Sequence, residues 1–157
     1  MKKEVLLLFI MLCLVAACST VCAQAQRSQH TATRNITGRW SCASKERVTN
    51  QFGEKFPSWI FDLKLKVENN QIKGDYLVSC PLHERFDGNL YSGDEEDFDI
   101  KGKWVGDKYI VKYESSWGAN VTAYIKPITS RKIEWRIISE KGGCTMAPKR
   151  AILTKER

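Results

Sequence analysis

Apolar and polar residues alternate along most of the chain after residue 35. In the stretch Ser58–Glu68 every second side chain is apolar: Trp59, Phe61, Leu63, Leu65 and Val67. A period of two predicts a β-strand with one buried face. The same pattern predicts eight strands in total: Arg39–Arg47, Ser58–Glu68, Gln71–Cys80, Phe98–Val105, Lys108–Ser116, Asn120–Ile128, Lys132–Ile138 and Arg150–Lys155.

Short turn sequences join several of these strands. Asn69-Asn70 and Gly106-Asp107 are two-residue turns, and Gly106 supplies the positive φ that a tight hairpin needs. Strands joined by short hairpins form an antiparallel meander, and closure into a barrel removes its exposed edges. We therefore predict an all-β domain over residues 36–157: a single antiparallel up-and-down meander closed into a roughly eight-stranded barrel.

The N-terminal residues have the features of an export signal. Two lysines precede a 13-residue apolar run over 5–17, which is too short to span a bilayer. Ala23-Gln-Ala25 favours cleavage after residue 25, whereas Val15–Cys18 resembles a bacterial lipobox that would place a lipidated Cys18 first. The predicted organisation is a cleaved signal helix over 1–25 (1–17 for a lipoprotein), a polar leader over 26–35 and the barrel. The protein is expected to be periplasmic or extracellular, with a lipid anchor if Cys18 is lipidated.

One short motif occurs three times, as ITGRW, IKGDY and IKGKW, with glycine two residues before an aromatic ring. The pairs are Gly38 with Trp40, Gly74 with Tyr76 and Gly102 with Trp104. Glycine within a strand allows the sharp coiling that barrel closure requires. The motif therefore predicts bends around a barrel with the three rings packed at one end. Chance repetition of a short pattern is the alternative.

Gly38-Arg-Trp40 resembles the Gly-x-Trp opening of lipocalins, and the repeated motif resembles the strand motifs of avidin-type barrels. Both families belong to the calycin group of eight-stranded up-and-down barrels, so the resemblance implies a small ligand bound inside. Tyr76 corresponds to a ligand-contacting tyrosine of the avidin pattern. Cys42 and Val78 depart from that pattern, which has asparagine and a polar residue at those places, so biotin is not implied.

Export would place the cysteines in a compartment where thiols can pair. Cleavage after residue 25 leaves Cys42, Cys80 and Cys144, whereas lipidation at Cys18 also retains Cys22. In an up-and-down barrel, the end of the third predicted strand and the loop after the seventh lie at the same rim. We therefore predict a Cys80–Cys144 disulfide, with Cys42 near the opposite rim, unpaired or joined to Cys22.

Charge is distributed unevenly along the chain. The sequence has 25 basic and 18 acidic residues, and residues 87–99 contain six of the acids and no lysine or arginine. The remainder is basic, which suits either anionic polymers and membrane surfaces or simple solubility. The dispersion of the basic residues through the strands favours solubility.

Few residues offer catalytic or metal-binding chemistry. The two histidines, His30 and His83, lie in the leader and in a loop, and no general base is evident near Cys42. Cys80-Pro-Leu-His83 has metal-ligand spacing, but an exported thiol is more readily used in a disulfide. The acidic stretch lacks the spacing of a calcium loop. We therefore expect neither enzymatic activity, a metal nor a cofactor.

Aromatic residues on the inward face suggest two functions. A barrel of eight strands either fills its interior or holds one small ligand. The first hypothesis is an open pocket for a small apolar or amphipathic ligand, lined by Trp59, Tyr76, Trp104, Tyr113 and Trp135. The alternative is a protein-binding module or enzyme inhibitor that acts through its rim loops. Its contact would be the acidic loop 87–99, and above all Asp94, Glu95, Glu96 and Asp97, steering a basic partner. Nucleic acid is not expected as a partner.

Overall fold

The computed structural model describes residues 35–90 and 98–157, and Ile36–Arg157 form one compact unit. The predicted signal helix, the cleavage sites, Cys18, the leader up to residue 34 and the acids Asp94–Asp97 lie outside the described residues. No described helix is long and apolar enough to cross a membrane. The described elements are β1 (Gly38–Ala43), β2 (Arg47–Thr49), β3 (Lys55–Pro57), β4 (Ile60–Glu68), β5 (Gln71–Cys80), the 3-10 helix η1 (Pro81–His83), β6 (Arg85–Gly88), β7 (Ile100–Val105), β8 (Lys108–Glu114), β9 (Ala119–Thr129), β10 (Lys132–Gly142) and β11 (Arg150–Lys155).

Eight of these strands close into an antiparallel barrel. Each strand pairs with the next in the order β1, β4, β5, β7, β8, β9, β10, β11, and β11 pairs with β1 again. The closing register places Trp40 opposite Lys155 and Ser41 opposite Thr154. The predicted fold class, an all-β barrel of eight antiparallel strands, is therefore confirmed.

The barrel wall is interrupted beside β5. The first half of β5, Gln71–Gly74, pairs with β7, whereas its last residues, Leu77–Cys80, pair with the short strand β6. β6 and β7 thus share one position in the wall, and residues 89–99 connect them. The alternation pattern left residues 81–97 between two predicted strands, and β6 lies in this segment.

The two ends of the barrel differ in the length of their connections. At the lower rim the hairpins are tight: Asn69 and Asn70 have φ of 48° and 64°, and Gly106 has φ of 64°. The upper rim has three long connections, 44–59, 81–99 and 143–149, and the four-residue turn 115–118. Binding residues usually lie in longer connections, so we expect the functional site at the upper rim.

The hairpin β2–β3 lies in the first of these long connections and was not predicted. It extends the β1–β4 pairing beyond the rim, with Arg47 opposite Pro57 and Thr49 opposite Lys55. The Asn50 side chain closes the turn, because its Oδ1 accepts hydrogen bonds from the backbone N–H groups of Phe52 and Glu54. The predicted first strand, Arg39–Arg47, therefore ends at Ala43 and resumes at Arg47.

Two of the three repeated glycines lie where strands approach too closely for a side chain. A Cβ on Gly74 would lie 2.2 Å from the Lys64 carbonyl oxygen, and a Cβ on Gly102 would lie 2.3 Å from that of Ile110. The role of the motif in strand coiling is supported. The expected gathering of the rings at one end is wrong, because Trp104 lies beside the lower hairpins, where its backbone N–H donates to the Asn70 carbonyl oxygen. Trp40 and Tyr76 instead both lie opposite Leu63, farther up the wall.

Candidate functional site

Three of the five predicted lining residues meet in the barrel interior. Tyr76 and Trp135 have no exposed surface, and Tyr113 is also buried. The ring centroids of Tyr76 and Tyr113 lie 4.5 Å apart, and those of Tyr113 and Trp135 lie 5.9 Å apart. Phe61 continues the series, with its ring 5.1 Å from that of Trp135 in an edge-to-face arrangement. These rings pack against one another and occupy the interior at this level.

The other two predicted lining residues lie apart from this group. Trp104 is half-buried near the end of β7, next to the lower rim. Its ring packs edge-to-face on that of Tyr109, with centroids 4.8 Å apart. Trp59 is half-buried at the upper rim, directly before β4. The five residues therefore do not line a single pocket.

A buried carboxylate closes the upper end of the barrel. Asp87 has no exposed surface, although the sequence placed it in the exposed acidic loop. Its Oδ1 accepts hydrogen bonds from the Tyr76 hydroxyl at 2.8 Å and from the Ser116 backbone N–H at 2.9 Å. Its Oδ2 accepts bonds from the Thr145 hydroxyl and the Met146 backbone N–H, both at 2.8 Å. Asp87 therefore ties β6 to the β8–β9 turn and to the β10–β11 connection.

The four donors explain how a carboxylate can be buried here. Burying such a group is costly unless hydrogen bonds replace its water. Burial raises the pKa of Tyr76 far above its ordinary value, and the hydrogen bond to Asp87 adds to the increase. Burial likewise raises the pKa of Tyr113. Both phenols therefore stay protonated near neutral pH, and their hydrogen bonds to Asp87 and Thr145 hold the rim segments together.

Exposed apolar side chains lie on the upper-rim segments around this network. Phe52 is 78 % exposed in the β2–β3 turn, Phe86 is 56 % exposed in β6, and Trp117 is 48 % exposed in the β8–β9 turn. The indole N–H of Trp117 donates to the Phe86 carbonyl oxygen at 3.3 Å, which holds these two residues side by side. Leu82, in η1, is 37 % exposed, and η1 contacts β3. We call Phe52, Leu82, Phe86 and Trp117 the rim patch.

The alternation pattern did not identify the rim patch. Its members lie in four short segments that the alternation pattern left as loops or strand ends, and an isolated exposed apolar residue is unremarkable in any sequence. The available hint was the richness of the long connections in large apolar residues. Their common position follows only from the barrel topology.

The predicted Cys80–Cys144 disulfide is not formed, and Cys42, Cys80 and Cys144 are all free thiols. β6 lies between Cys80 and Cys144. On one side, Arg85 of β6 pairs with Cys80. On its other side is the β8–β9 turn, where Gly118 pairs with Cys144. The expected position of Cys42 is also wrong. β1 and β5 both run toward the upper rim, so Cys42 lies in the same half of the barrel as Cys80.

Chemistry at the thiols is limited by burial. Burial, with a further contribution from the charge of Asp62, raises the pKa of Cys42 to about 11. Burial also raises the pKa of Cys80, although the nearby Arg85 acts in the opposite direction. A raised pKa makes a thiol a poor nucleophile. Within the described ranges, no three His, Cys, Asp or Glu residues are placed to share a metal ion.

Comparison with known proteins adds no family to this description. No family model matches the sequence, and neither the curated proteins nor the solved structures include a significant match. The eight-stranded antiparallel barrel is therefore established by its own strand pairing, and it is consistent with a calycin-like fold.

Proposed function

We propose that the protein is an exported, non-enzymatic binding protein that recognises another protein through its upper rim. The observation that carries the proposal is the rim patch, in which Phe52, Phe86 and Trp117 expose roughly half or more of their surface. Large aromatic side chains dominate the energetics of protein interfaces, and Trp is the residue most enriched among their hot spots.

The interior beneath the patch supports a binding surface more than a binding cavity. Tyr76, Tyr113 and Trp135 are in ring contact and buried. The Asp87 network joins β6, the β8–β9 turn and the β10–β11 connection, so Phe86 and Trp117 rest on a hydrogen-bonded support. Preorganisation lowers the entropic cost of association.

Charge in the same connection indicates the kind of partner. Residues 89–99 follow β6 directly and contain Asp94, Glu95, Glu96, Asp97 and Asp99, and Asp99 is exposed. Asp87 is buried in the network, so its carboxylate oxygens are not available for direct contact with a partner. Acids that follow β6 in the sequence suit a partner with a basic surface, since complementary charge speeds encounter and selects among partners.

A small apolar or amphipathic ligand at the upper mouth of the barrel is the second candidate. Trp59 and Cys42 favour it, because both are only half-buried and contact the edge of the core near the upper rim. They provide apolar surface at the mouth, above the ring cluster of Tyr76, Tyr113 and Trp135. A ligand here would rest on the barrel, with only part of its surface enclosed.

Photo-crosslinking distinguishes these candidates. A photoreactive amino acid at position 86 should yield one specific protein adduct in the cells that make this protein. The same residue at position 128 is the control, since Ile128 is similarly exposed (48 %) but lies at the lower rim. Equal adducts from both positions, or none from position 86, would contradict the protein-partner proposal. A small molecule retained in native mass spectra of the purified protein would instead support the second candidate.

Export is supported by the N-terminal sequence pattern. N-terminal analysis of the protein isolated from its source should begin at Gln26 or at a lipidated Cys18. A chain that still begins at Met1 in the cytoplasm would contradict this part of the proposal.

A further inference from the structure

Four lysines lie directly opposite one another on the outer face of the barrel wall. The register pairs Lys66 of β4 with Lys73 of β5, Lys73 with Lys101 of β7, and Lys101 with Lys112 of β8. We call these four residues the lysine row. Neighbouring strands lie about 4.8 Å apart, so the row extends across the wall with one positive charge per strand for roughly 14 Å.

Such a row is unfavourable for the fold itself. Like charges directly opposite on adjacent strands destabilise a sheet. Lys66 is partly compensated, because its ammonium lies 3.3 Å from the Glu68 carboxylate. Among the described residues, no carboxylate lies within ion-pair distance of Lys73, Lys101 or Lys112. A row that opposes folding, and in which three of the four ammonium groups have no carboxylate partner within the described part of the chain, is a candidate for recognition of an anion.

A polar groove continues the row toward β10. Lys101 and Lys112 also line a groove of about 480 Å³, which has an amide, two hydroxyls and a further ammonium on its walls. The pairing accounts for this continuation: Lys112 is opposite Thr122, Thr122 is opposite Ser139, and Asn120 is opposite Lys141. The groove is lined by one exposed acid, Asp99, and by three lysines, Lys101, Lys112 and Lys141. The groove thus combines excess positive charge with neutral hydrogen-bonding groups.

We propose that this face binds a linear anionic polysaccharide. The lysine row would neutralise successive carboxylate or sulfate groups, one per strand. Asn120, Thr122 and Ser139 would exchange hydrogen bonds with sugar hydroxyls in the groove. The site is separate from the rim patch, since it lies on the outer wall and uses charge and hydroxyl chemistry rather than apolar contact.

The shape of the site favours this class over two other anionic partners. The row crosses the convex wall of a barrel, so a flat membrane surface would reach only part of it, whereas a flexible chain can follow the curvature. Single-stranded nucleic acid is bound largely by stacking on exposed aromatic rings. The two aromatic residues of the groove, Phe98 and Tyr113, are buried at 9 % and 5 % exposure and offer no such platform.

The test compares two triple variants of the full mature chain. Lys73→Gln, Lys101→Gln and Lys112→Gln remove three charges from the lysine row. Lys45→Gln, Lys55→Gln and Lys132→Gln remove the same charge from exposed positions elsewhere. The probes are heparin, which is sulfated, polygalacturonate, which is carboxylated, and dextran, which is neutral. Affinity is measured by calorimetry at several salt concentrations.

We expect at least one anionic probe to bind the unmodified protein and dextran not to bind. The row variant should weaken that binding about tenfold or more and flatten its salt dependence, because fewer counterions are released. The control variant should stay within about threefold of the unmodified protein. Equal losses in the two variants, or no binding of either anionic probe, would overturn the proposal. Tighter binding to anionic vesicles or to an oligodeoxythymidylate, also dependent on the row, would overturn the assignment to polysaccharide.

Discussion

The hydroxyl of Tyr76 donates a 2.8 Å hydrogen bond to Oδ1 of Asp87, and this contact joins the middle of the barrel to its upper rim. Tyr76 belongs to the ring cluster of the interior, whereas Asp87 belongs to the short strand that completes the wall beside β5. The ring cluster and the rim loops are therefore coupled through one buried carboxylate. Changes at Asp87 are expected to affect both.

Replacement of Asp87 by alanine should destabilise the protein severely. The substitution leaves the Tyr76 and Thr145 hydroxyls and two backbone N–H groups without their acceptor in a buried site. We expect the free energy of unfolding to fall by about 3 kcal/mol or more, measured by urea denaturation. Asp87→Asn keeps the shape of the side chain and one acceptor oxygen. Its free energy of unfolding should lie between those of the unmodified protein and the alanine variant.

Glu46→Ala is the matched control for this change. Glu46 is an exposed acid in the same rim region, so its removal should alter stability by no more than about 0.5 kcal/mol. Equal effects of the Asp87 and Glu46 substitutions would show that the network contributes little to stability.

Stability should decline with rising pH above about 10. The folded-state pKa of Tyr76 and of Tyr113 lies above the ordinary value of 10.0. Below that pH both phenols are protonated in the folded and the unfolded chain, so their contribution is constant. Above it the unfolded chain releases protons that the folded chain retains, and unfolding becomes progressively easier.

The tyrosine variants test this pH dependence directly. A Tyr76→Phe, Tyr113→Phe double variant should lose stability less steeply between pH 10 and the pH of unfolding, in urea titrations at fixed pH. An ultraviolet titration of the folded protein offers a second check. Ionisation of all five tyrosines near pH 10 in the folded state would contradict the account.

The three cysteines of the barrel should differ in reactivity. Cys144 is exposed, whereas Cys42 is half-buried and has a pKa of about 11, so only about 0.1 % of it is thiolate at pH 8. Iodoacetamide at pH 8 should label Cys144 well before Cys42, as followed by peptide mass mapping. In a Cys144→Ser variant, this early labelling by iodoacetamide should disappear. A Cys80–Cys144 linked peptide in unreduced samples would instead restore the expectation drawn from the sequence.

Substitution of Gly74 by alanine should disturb the contact between β4 and β5. The new Cβ would lie 2.2 Å from the Lys64 carbonyl oxygen, so the backbone of a neighbouring strand has to move. We expect a loss of about 2–3 kcal/mol in the free energy of unfolding. Gly106→Ala is the comparison, since that Cβ meets no atom within 4 Å and the cost, about 1 kcal/mol, comes from φ alone. A smaller loss at position 74 than at position 106 would contradict the steric explanation.

The barrel itself was predictable because its determinants are local. Alternation identified the strand Arg150–Lys155 at its observed bounds, and the Gly106 turn fixed a hairpin. Closure followed from the need to hide edge strands, and the pairing of Trp40 with Lys155 confirms it. The hairpin β2–β3 escaped prediction because its three-residue strands are too short to show a period and its turn depends on one Asn50 side chain.

The contacts of the upper rim could not be predicted, because they join residues that are distant in sequence. Nothing distinguishes Asp87 from the other five acids of residues 87–99 until the fold brings donors to it from residues 29 to 59 positions away. Similarly, Phe86 and Trp117 are neighbours only because β6 completes the wall next to the β8–β9 turn. The lysine row also depends on register, which the alternation pattern does not specify.

The central claim is that the rim patch is the binding surface, and the affinity of the partner crosslinked from position 86 tests it most directly. The change is Phe86→Ser with Trp117→Ser, and the control is Val105→Ser with Ile128→Ser, two similarly exposed apolar residues at the lower rim. The measurement is the dissociation constant of each variant for that partner by biolayer interferometry. We predict about 30-fold weaker binding for the rim variant and little change for the control. Unchanged affinity in a rim variant whose circular dichroism and melting temperature match those of the unmodified protein would contradict the claim.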